Sequence, residues 1–233
     1  MIAVVVTSFV LVVVLACIIY PGEFSYVSPR LNRWFYDRSA SNYHLKWRAA
    51  AYCDPAIQKR ILQFARQSIQ ESGNCSVLDL GCGTGRGIRL VSPVLPAATL
   101  YTGIDYSRSM LQGFREWIDS HGHFLSGRID LIEEDLAHWA DRDQGQRSYG
   151  LILMLEAGEF VPHFSEVLRR VSAVLAPNGG LLMTRPANLW FWFFPGRVQS
   201  RRLLTRLLIS LGFAEPEYLG WRARYELVFC KRL

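Results

Sequence analysis

Val77-Leu78-Asp79-Leu80-Gly81-Cys82-Gly83-Thr84-Gly85 reads as a buried strand that breaks into a glycine-rich turn and then opens a helix. Residues without a Cβ reach positive φ and let backbone approach a ligand closely, so this turn is a candidate binding site. The spacing Gly81-x-Gly83-x-Gly85 leaves Arg86 where a dinucleotide fingerprint would put its third glycine. Alone, the triplet fits a structural turn as well as a ligand site.

The pattern around it decides the fold. A helix over 55–72 precedes the strand, with Asp54 as its N-cap, Pro55 at the first helical position and Gly73 as its C-terminal stop. After the strand at 76–80 and a short helix beyond Gly85 come a strand at 99–104, a helix at 107–120 and a strand at 128–133. A strand at 149–155 follows, then a helix at 164–175 closed by Pro177-Asn178-Gly179-Gly180, and a strand at 181–184. A helix at 199–211, with leucines on one side and arginines on the other, leads to strands at 215–221 and 224–231. This alternation predicts an α/β, Rossmann-like, seven-stranded sheet, mostly parallel, with an antiparallel last strand.

Open parallel sheets bind ligands beyond the carboxyl ends of their strands. Three consecutive strand ends carry suitable residues: Asp79 with the glycines, Gly103-Ile104-Asp105-Tyr106, and Glu133-Glu134-Asp135-Leu136. Asp105, at the second, is placed to accept both hydroxyls of a ribose, and Tyr106 to lie against a purine. Asp135 is placed to accept from an adenine amino group.

These stretches, together with 101–110 and 149–184, resemble the class I S-adenosylmethionine-dependent methyltransferases. The likeness is to the small-molecule, type 11-like group that includes the ubiquinone and menaquinone methyltransferases, and it runs over about residues 33–231. It implies S-adenosylmethionine as cofactor, with Asp79, Gly81, Gly83 and Gly85 facing its methionine part. Asp105 would hold the ribose, with Tyr106, Asp135 and Leu136 around the adenine. Tyr36-Asp37 and Tyr43 resemble an aromatic lid. Where relatives carry Glu-His-Val or a similar triplet after the fourth strand, this chain reads Glu159-Phe160-Val161-Pro162, so a base is missing there. Methyl transfer can proceed without one, because the sulfonium is already a strong electrophile. His163, Glu156 and His138 lie at or near strand ends and are the candidate catalytic residues. His121-Gly122-His123 has no acidic or cysteine partners nearby, and no metal is expected.

The chain has 233 residues, 50% of them hydrophobic, enough for one sizeable α/β domain. Residues 2–20 contain no charge, and thirteen of them are Val, Ile, Leu or Phe. As a helix they would span roughly 28 Å, close to a hydrocarbon core, before Pro21-Gly22 stops it. A cleaved signal, or a lipoprotein site at Val14-Leu15-Ala16-Cys17, would want a basic n-region that is absent, so a single transmembrane anchor is the preferred reading. Arg30, Arg33, Arg38, Lys46 and Arg48 follow it, which puts the catalytic domain on the cytoplasmic side. Five cysteines without a C-x-x-C pair fit reduced thiols. A net charge of +6 suits an anionic membrane surface. Nucleic acid is disfavoured, since no Asn-Pro-Pro-Tyr-type tetrapeptide follows the fourth strand.

The chain therefore divides into an anchor (1–20), an aromatic and basic juxtamembrane and lid segment of short helices (21–53), and a methyltransferase domain (54–233). Asn188-Leu189-Trp190-Phe191-Trp192-Phe193-Phe194-Pro195-Gly196-Arg197 has three readings: core, a loop in the headgroup region, or the wall of a lipophilic pocket. The expected function is methyl transfer from S-adenosylmethionine to a small lipophilic acceptor, at oxygen, with membrane lipids as neighbours. Carbon or nitrogen of a quinone, terpenoid or phospholipid is the alternative acceptor atom. A non-catalytic scaffold at the membrane is the rival from another class.

Overall fold

The computed structural model describes residues 26, 28–50, 54–121, 128–141 and 147–233. The expected anchor, residues 2–20, lies outside the described residues, and no described helix is long and apolar enough to cross a membrane.

The helices are α1 Pro29–Ala50, α2 Pro55–Ser72, α3 Arg86–Val91, α4 Arg108–His121, α5 Leu136–Asp141, α6 Phe164–Val174 and α7 Arg201–Ser210. The strands are β1 Ser76–Leu80, β2 Leu100–Asp105, β3 Ile129–Glu133, β4 Tyr149–Met154, β5 Leu175–Pro186, β6 Glu217–Trp221 and β7 Tyr225–Lys231. They form one seven-stranded sheet in the order β3-β2-β1-β4-β5-β7-β6. β1 to β5 pair in parallel, and β7 runs antiparallel to both of its neighbours.

Local chemistry sets the elements. The Asp54 carboxylate accepts from the Ala56 amide at 2.8 Å, and Gly73 ends α2 at φ +63°. Ile61, Phe64, Ala65, Ser68 and Ile69 form the buried stripe of α2. Its 3–4 residue spacing is that of a helix with one packed face. β4 is buried along its whole length, which is why its sequence is a continuous apolar run. The pleat of β1 sends Leu78 and Leu80 toward the face covered by α6 and α7, and Val77 toward the face covered by α2 and α4.

Three elements differ from the sequence reading. The short helices expected in 21–53 are one helix, α1, over the described part; no glycine or proline interrupts residues 30–50. β5 begins at Leu175, before the Pro177–Gly180 turn, because Leu175 pairs with Tyr149 and the ladder resumes at Leu151 with Gly180. The turn is thus a bulge, with Asn178 at φ +59°, held where the Asn178 amide donates to the Arg232 carbonyl and the Arg232 amide to that of Gly179. α5 was not expected at all; the Asp135 carboxylate caps it by accepting from the Ala137 amide at 2.8 Å.

Strand order reverses between β1 and β4, so their carboxyl ends flank the crevice where such sheets bind ligands. Under the glycine turn, Phe114 is fully buried with its ring 5.9 Å from that of Tyr101. Phe114→Ala should lower the unfolding free energy by about 3–5 kcal/mol, measured by urea denaturation.

Candidate active site

The turn after β1 is a chain of left-handed residues: Gly81, Gly83 and Gly85 have φ of +72°, +52° and +86°. Each glycine answers a different neighbour. A Cβ on Gly81 would sit 2.4 Å from the Ala157 Cβ, since the ends of β1 and β4 nearly touch. One on Gly85 would lie 2.4 Å from the Phe114 ring. Gly83 has nothing within 4 Å of that position; it borders open cavity. The amides of Gly81 and Cys82 both donate to the Ile104 carbonyl, pinning the turn to the end of β2.

A fourth glycine, which the sequence reading passed over, completes the motif. A Cβ on Gly87 would land 2.2 Å from Asp79 Oδ2, so the missing side chain makes room for that carboxyl group. The visible signal was the period-two run Gly81-x-Gly83-x-Gly85-x-Gly87.

Two buried carboxyl groups lie beneath the turn. Asp105 accepts from the Gly83 amide at 2.8 Å and from the Ser107 amide at 2.9 Å. Burial pushes it up to about 6, with those two backbone donors pulling the other way. Asp79 accepts from the Tyr101 hydroxyl at 2.6 Å. Burial pushes it up to about 7, opposed by the Tyr101 hydrogen bond and by Arg86 and reinforced by Asp105.

Above them lies a cavity of about 320 Å³. Asp79, Gly81, Gly83 and Asp105 line its floor, and Tyr106, Asp135, Leu136 and His138 one side. Asn32, Tyr36 and Tyr43 of α1 form its roof, with Phe160 and Val161 on the far wall. The roof is latched down. The Tyr106 hydroxyl donates to the Asn32 side chain, the Ser107 hydroxyl to Asp37 at 2.6 Å, and Arg33 pairs with Glu133. Tyr36 meets Tyr106 and Phe160 edge-on, with ring centres 6.0 and 6.2 Å apart. Phe160, at the position where a histidine was looked for, is one panel of this aromatic wall.

The candidate bases are placed unequally. Glu156 lines the cavity at φ +54°, but its Oε1 accepts from Arg86 at 2.9 Å and from Arg222 at 3.3 Å. Both guanidinium groups also lie over the Trp221 ring, at 5.1 and 4.7 Å. Glu156 thus holds two arginines together. His138 is exposed at the cavity rim, whereas His163 is exposed at the start of α6 and is not part of the lining. Among the described residues no group of three or more metal-ligating side chains converges.

A sulfonium nucleoside fits these residues. There is a carboxyl group at the end of β2, space above Gly83, an aromatic and aliphatic side for a base, and acidic groups on the floor facing a cationic arm.

Because the folded-state values of Asp79 and Asp105 lie above the ordinary carboxylate range, burial of these groups favours the fold at acidic pH. That contribution is lost as pH rises through about 6 to 7. Tyr101→Phe removes the donor that favours the charged form of Asp79. It should cost about 1–3 kcal/mol, more at pH 8 than at pH 5, in parallel urea denaturations at the two pH values.

Comparison with known proteins agrees with this geometry. A methyltransferase-domain family model matches residues 77–179. Trans-aconitate 2-methyltransferase of Variovorax paradoxus is 35% identical over 140 residues, covering 60% of this chain and 47% of that protein. Phthiotriol/phenolphthiotriol dimycocerosates methyltransferase 1 of Mycobacterium ulcerans is 34% identical over 114 residues, 48% of this chain and 38% of that one. The chain therefore spans about half or less of the length of these curated relatives. They support the class and leave the quinone subgroup unsupported. Among solved structures, an O-methyltransferase family protein from Burkholderia thailandensis aligns with a TM-score of 0.59 at 16% identity, over 90% of this chain and 62% of that one. Magnesium protoporphyrin IX methyltransferase from Synechocystis with bound S-adenosylmethionine gives 0.53 at 18% identity, over 76% and 79%. These two likenesses show the fold. Family match, relatives and fold together place a methyltransferase-like domain at residues 77–179, in the fold that these solved methyltransferases share.

Proposed function

We propose that this protein methylates a small lipophilic acceptor at oxygen, using S-adenosylmethionine, while anchored to a membrane by residues 2–20 with its domain on the cytoplasmic side. The observation that carries the methyl-transfer reading is the union, in one cavity, of the Gly83–Asp105 cradle with the Tyr36, Tyr43 and Phe160 wall. When bound, the cofactor supplies a methyl group on a sulfonium centre, an electrophile strong enough that alignment of the acceptor provides much of the rate.

The residues divide the work. Ionised Asp105, fixed by the Gly83 and Ser107 amides, orients the ribose by accepting from its hydroxyls. Asp79, steered by Tyr101, presents negative charge to the cationic arm. Asp135 and Leu136 border the adenine, with Tyr106 closing that side while its hydroxyl holds the lid. Tyr36, Tyr43 and Phe160 exclude water and align an apolar acceptor against the methyl group.

Among the described residues no side chain at the cavity is a dedicated base, which favours an acceptor oxygen that is already ionised near neutral pH, a carboxylate before a phenol. Glu156 is committed to Arg86 and Arg222, and the two histidines are exposed. Acceptors of both an acidic and a lipid kind occur, by name, among the relatives. Membranes incubated with methyl-labelled donor and then extracted for lipids should yield a labelled lipophilic product. Label confined to protein or water-soluble material would refute the acceptor class.

Asp105→Ala should weaken S-adenosylmethionine binding at least about tenfold by titration calorimetry, with circular dichroism unchanged; equal affinity would refute the ribose assignment. Because Asp105 must ionise to accept both hydroxyls and sits at about 6, the wild-type affinity should rise from pH 5 to pH 7.5 and level off above. A flat profile would exclude that role.

A further inference from the structure

One face of the domain carries features that the cavity does not use. Beyond β5 the chain makes a 3-10 turn, Asn188–Phe193, at whose tip Trp192 is 73% exposed. Its neighbours are braced against one another: Phe191 meets Trp192 with ring centres 5.5 Å apart, and Trp190 meets Phe193 at 5.1 Å. Buried Phe194 fastens the segment to Phe160, 5.8 Å away. The result is a wedge of edge-to-face aromatic rings with an indole at its water-facing end.

The surroundings of the wedge are rich in arginine, of which Arg185 and Arg201 pair with Glu226. Residues 186–214 contain Arg197, Arg201, Arg202 and Arg206 and no acidic residue. Arg185 joins the wedge to the start of α7, lying 5.2 Å over the Phe191 ring while donating to the Gln199 carbonyl at 2.8 Å. Farther along α7, Arg202 and Arg206 are exposed, with Leu203 and Ile209 about half exposed.

The start of the described chain is fixed to this face. The Tyr26 hydroxyl donates to the Pro195 carbonyl at 3.1 Å, and the Arg197 guanidinium lies 4.0 Å over the Tyr26 ring. Tyr26 is six residues beyond Tyr20, the end of the uncharged stretch. Six residues reach at most about 20 Å. Arg197 also donates to the Phe160 carbonyl at 3.0 Å, so this surface is one hydrogen bond from the cavity wall.

We propose that the Trp192 wedge and the arginines of α7 lie on an anionic bilayer, as a second membrane contact beside the stretch at 2–20. Indole rings favour the interface, and guanidinium groups pair with anionic headgroups. The proposal rests on reading residues 2–20 as an anchor and does not depend on methyl transfer. It places the Phe160 wall beside the membrane from which an apolar acceptor would come.

The test uses the full chain reconstituted in phosphatidylcholine vesicles with or without about 30% phosphatidylglycerol, each made with plain or acyl-brominated lipid. Subtracting the emission of Trp192→Phe from that of the wild type isolates Trp192. In anionic vesicles this component should move to shorter wavelength and lose roughly half its intensity to bromine, as expected for an indole about 5–10 Å deep. Arg202→Gln with Arg206→Gln should reduce the quenching. An unquenched, water-like component overturns the proposal. Blue-shifted emission without quenching also overturns it, and assigns the face to a protein partner or a second copy. Quenching that is equal in neutral vesicles removes the role of the arginines. Flotation of the same samples separates the premises: failure to float sinks the anchor and the proposal with it, whereas floating with unquenched Trp192 sinks the docked face alone.

Discussion

The buried position of two carboxyl groups beneath a glycine turn is the constraint on which the site depends. Asp79 and Asp105 stand at the carboxyl ends of adjacent parallel strands. Hydrogen-bond donors make them tolerable: the Tyr101 hydroxyl for one, the Gly83 and Ser107 amides for the other. The turn can present its amide to Asp105 only because Gly83 takes a positive φ, and Asp79 has room only because Gly87 lacks a Cβ. Burial of charge is costly unless compensated. Burial therefore holds both groups above the ordinary carboxylate range, in a cavity that would suit a cationic ligand with hydroxyl donors.

The lid follows from the same strand ends. α1 contributes nothing to the sheet, yet Asn32, Arg33 and Asp37 each reach a partner on or just after β2 and β3: Tyr106, Glu133 and Ser107. A residue that lines the cavity thus also holds the roof. Reorganisation of the Tyr106 hydroxyl on ligand binding would be felt directly in α1. The aromatic series Tyr106, Tyr36, Phe160, Phe194 then runs from that side of the cavity to the wedge beyond β5.

Much of this was legible because it is local. The caps Asp54 and Gly73 delimit α2, and the apolar run with glycines after it marks β1 and the crevice. What was not legible depends on distant partners. Glu156 looks like an available acid until Arg86 and Arg222, 70 and 66 residues away, close on it. β5 starts early because Tyr149 and Arg232 hold a bulge that proline and glycine signals alone make look like a loop. α5 is six residues long, too short for a periodic pattern, and only its Asp135 cap betrays it. α1 hides its unity because its aromatic residues serve both the roof and the surface.

The central claim is that the nucleoside lies across the ends of β1, β2 and β3. A crystal structure of this chain with S-adenosylhomocysteine measures it most directly. The ribose hydroxyls should be within hydrogen-bonding distance of the Asp105 carboxylate, with the purine between Tyr106 and Leu136 and the amino-acid arm over Gly83. A ligand seated elsewhere, or a ribose turned away from Asp105, would contradict the account.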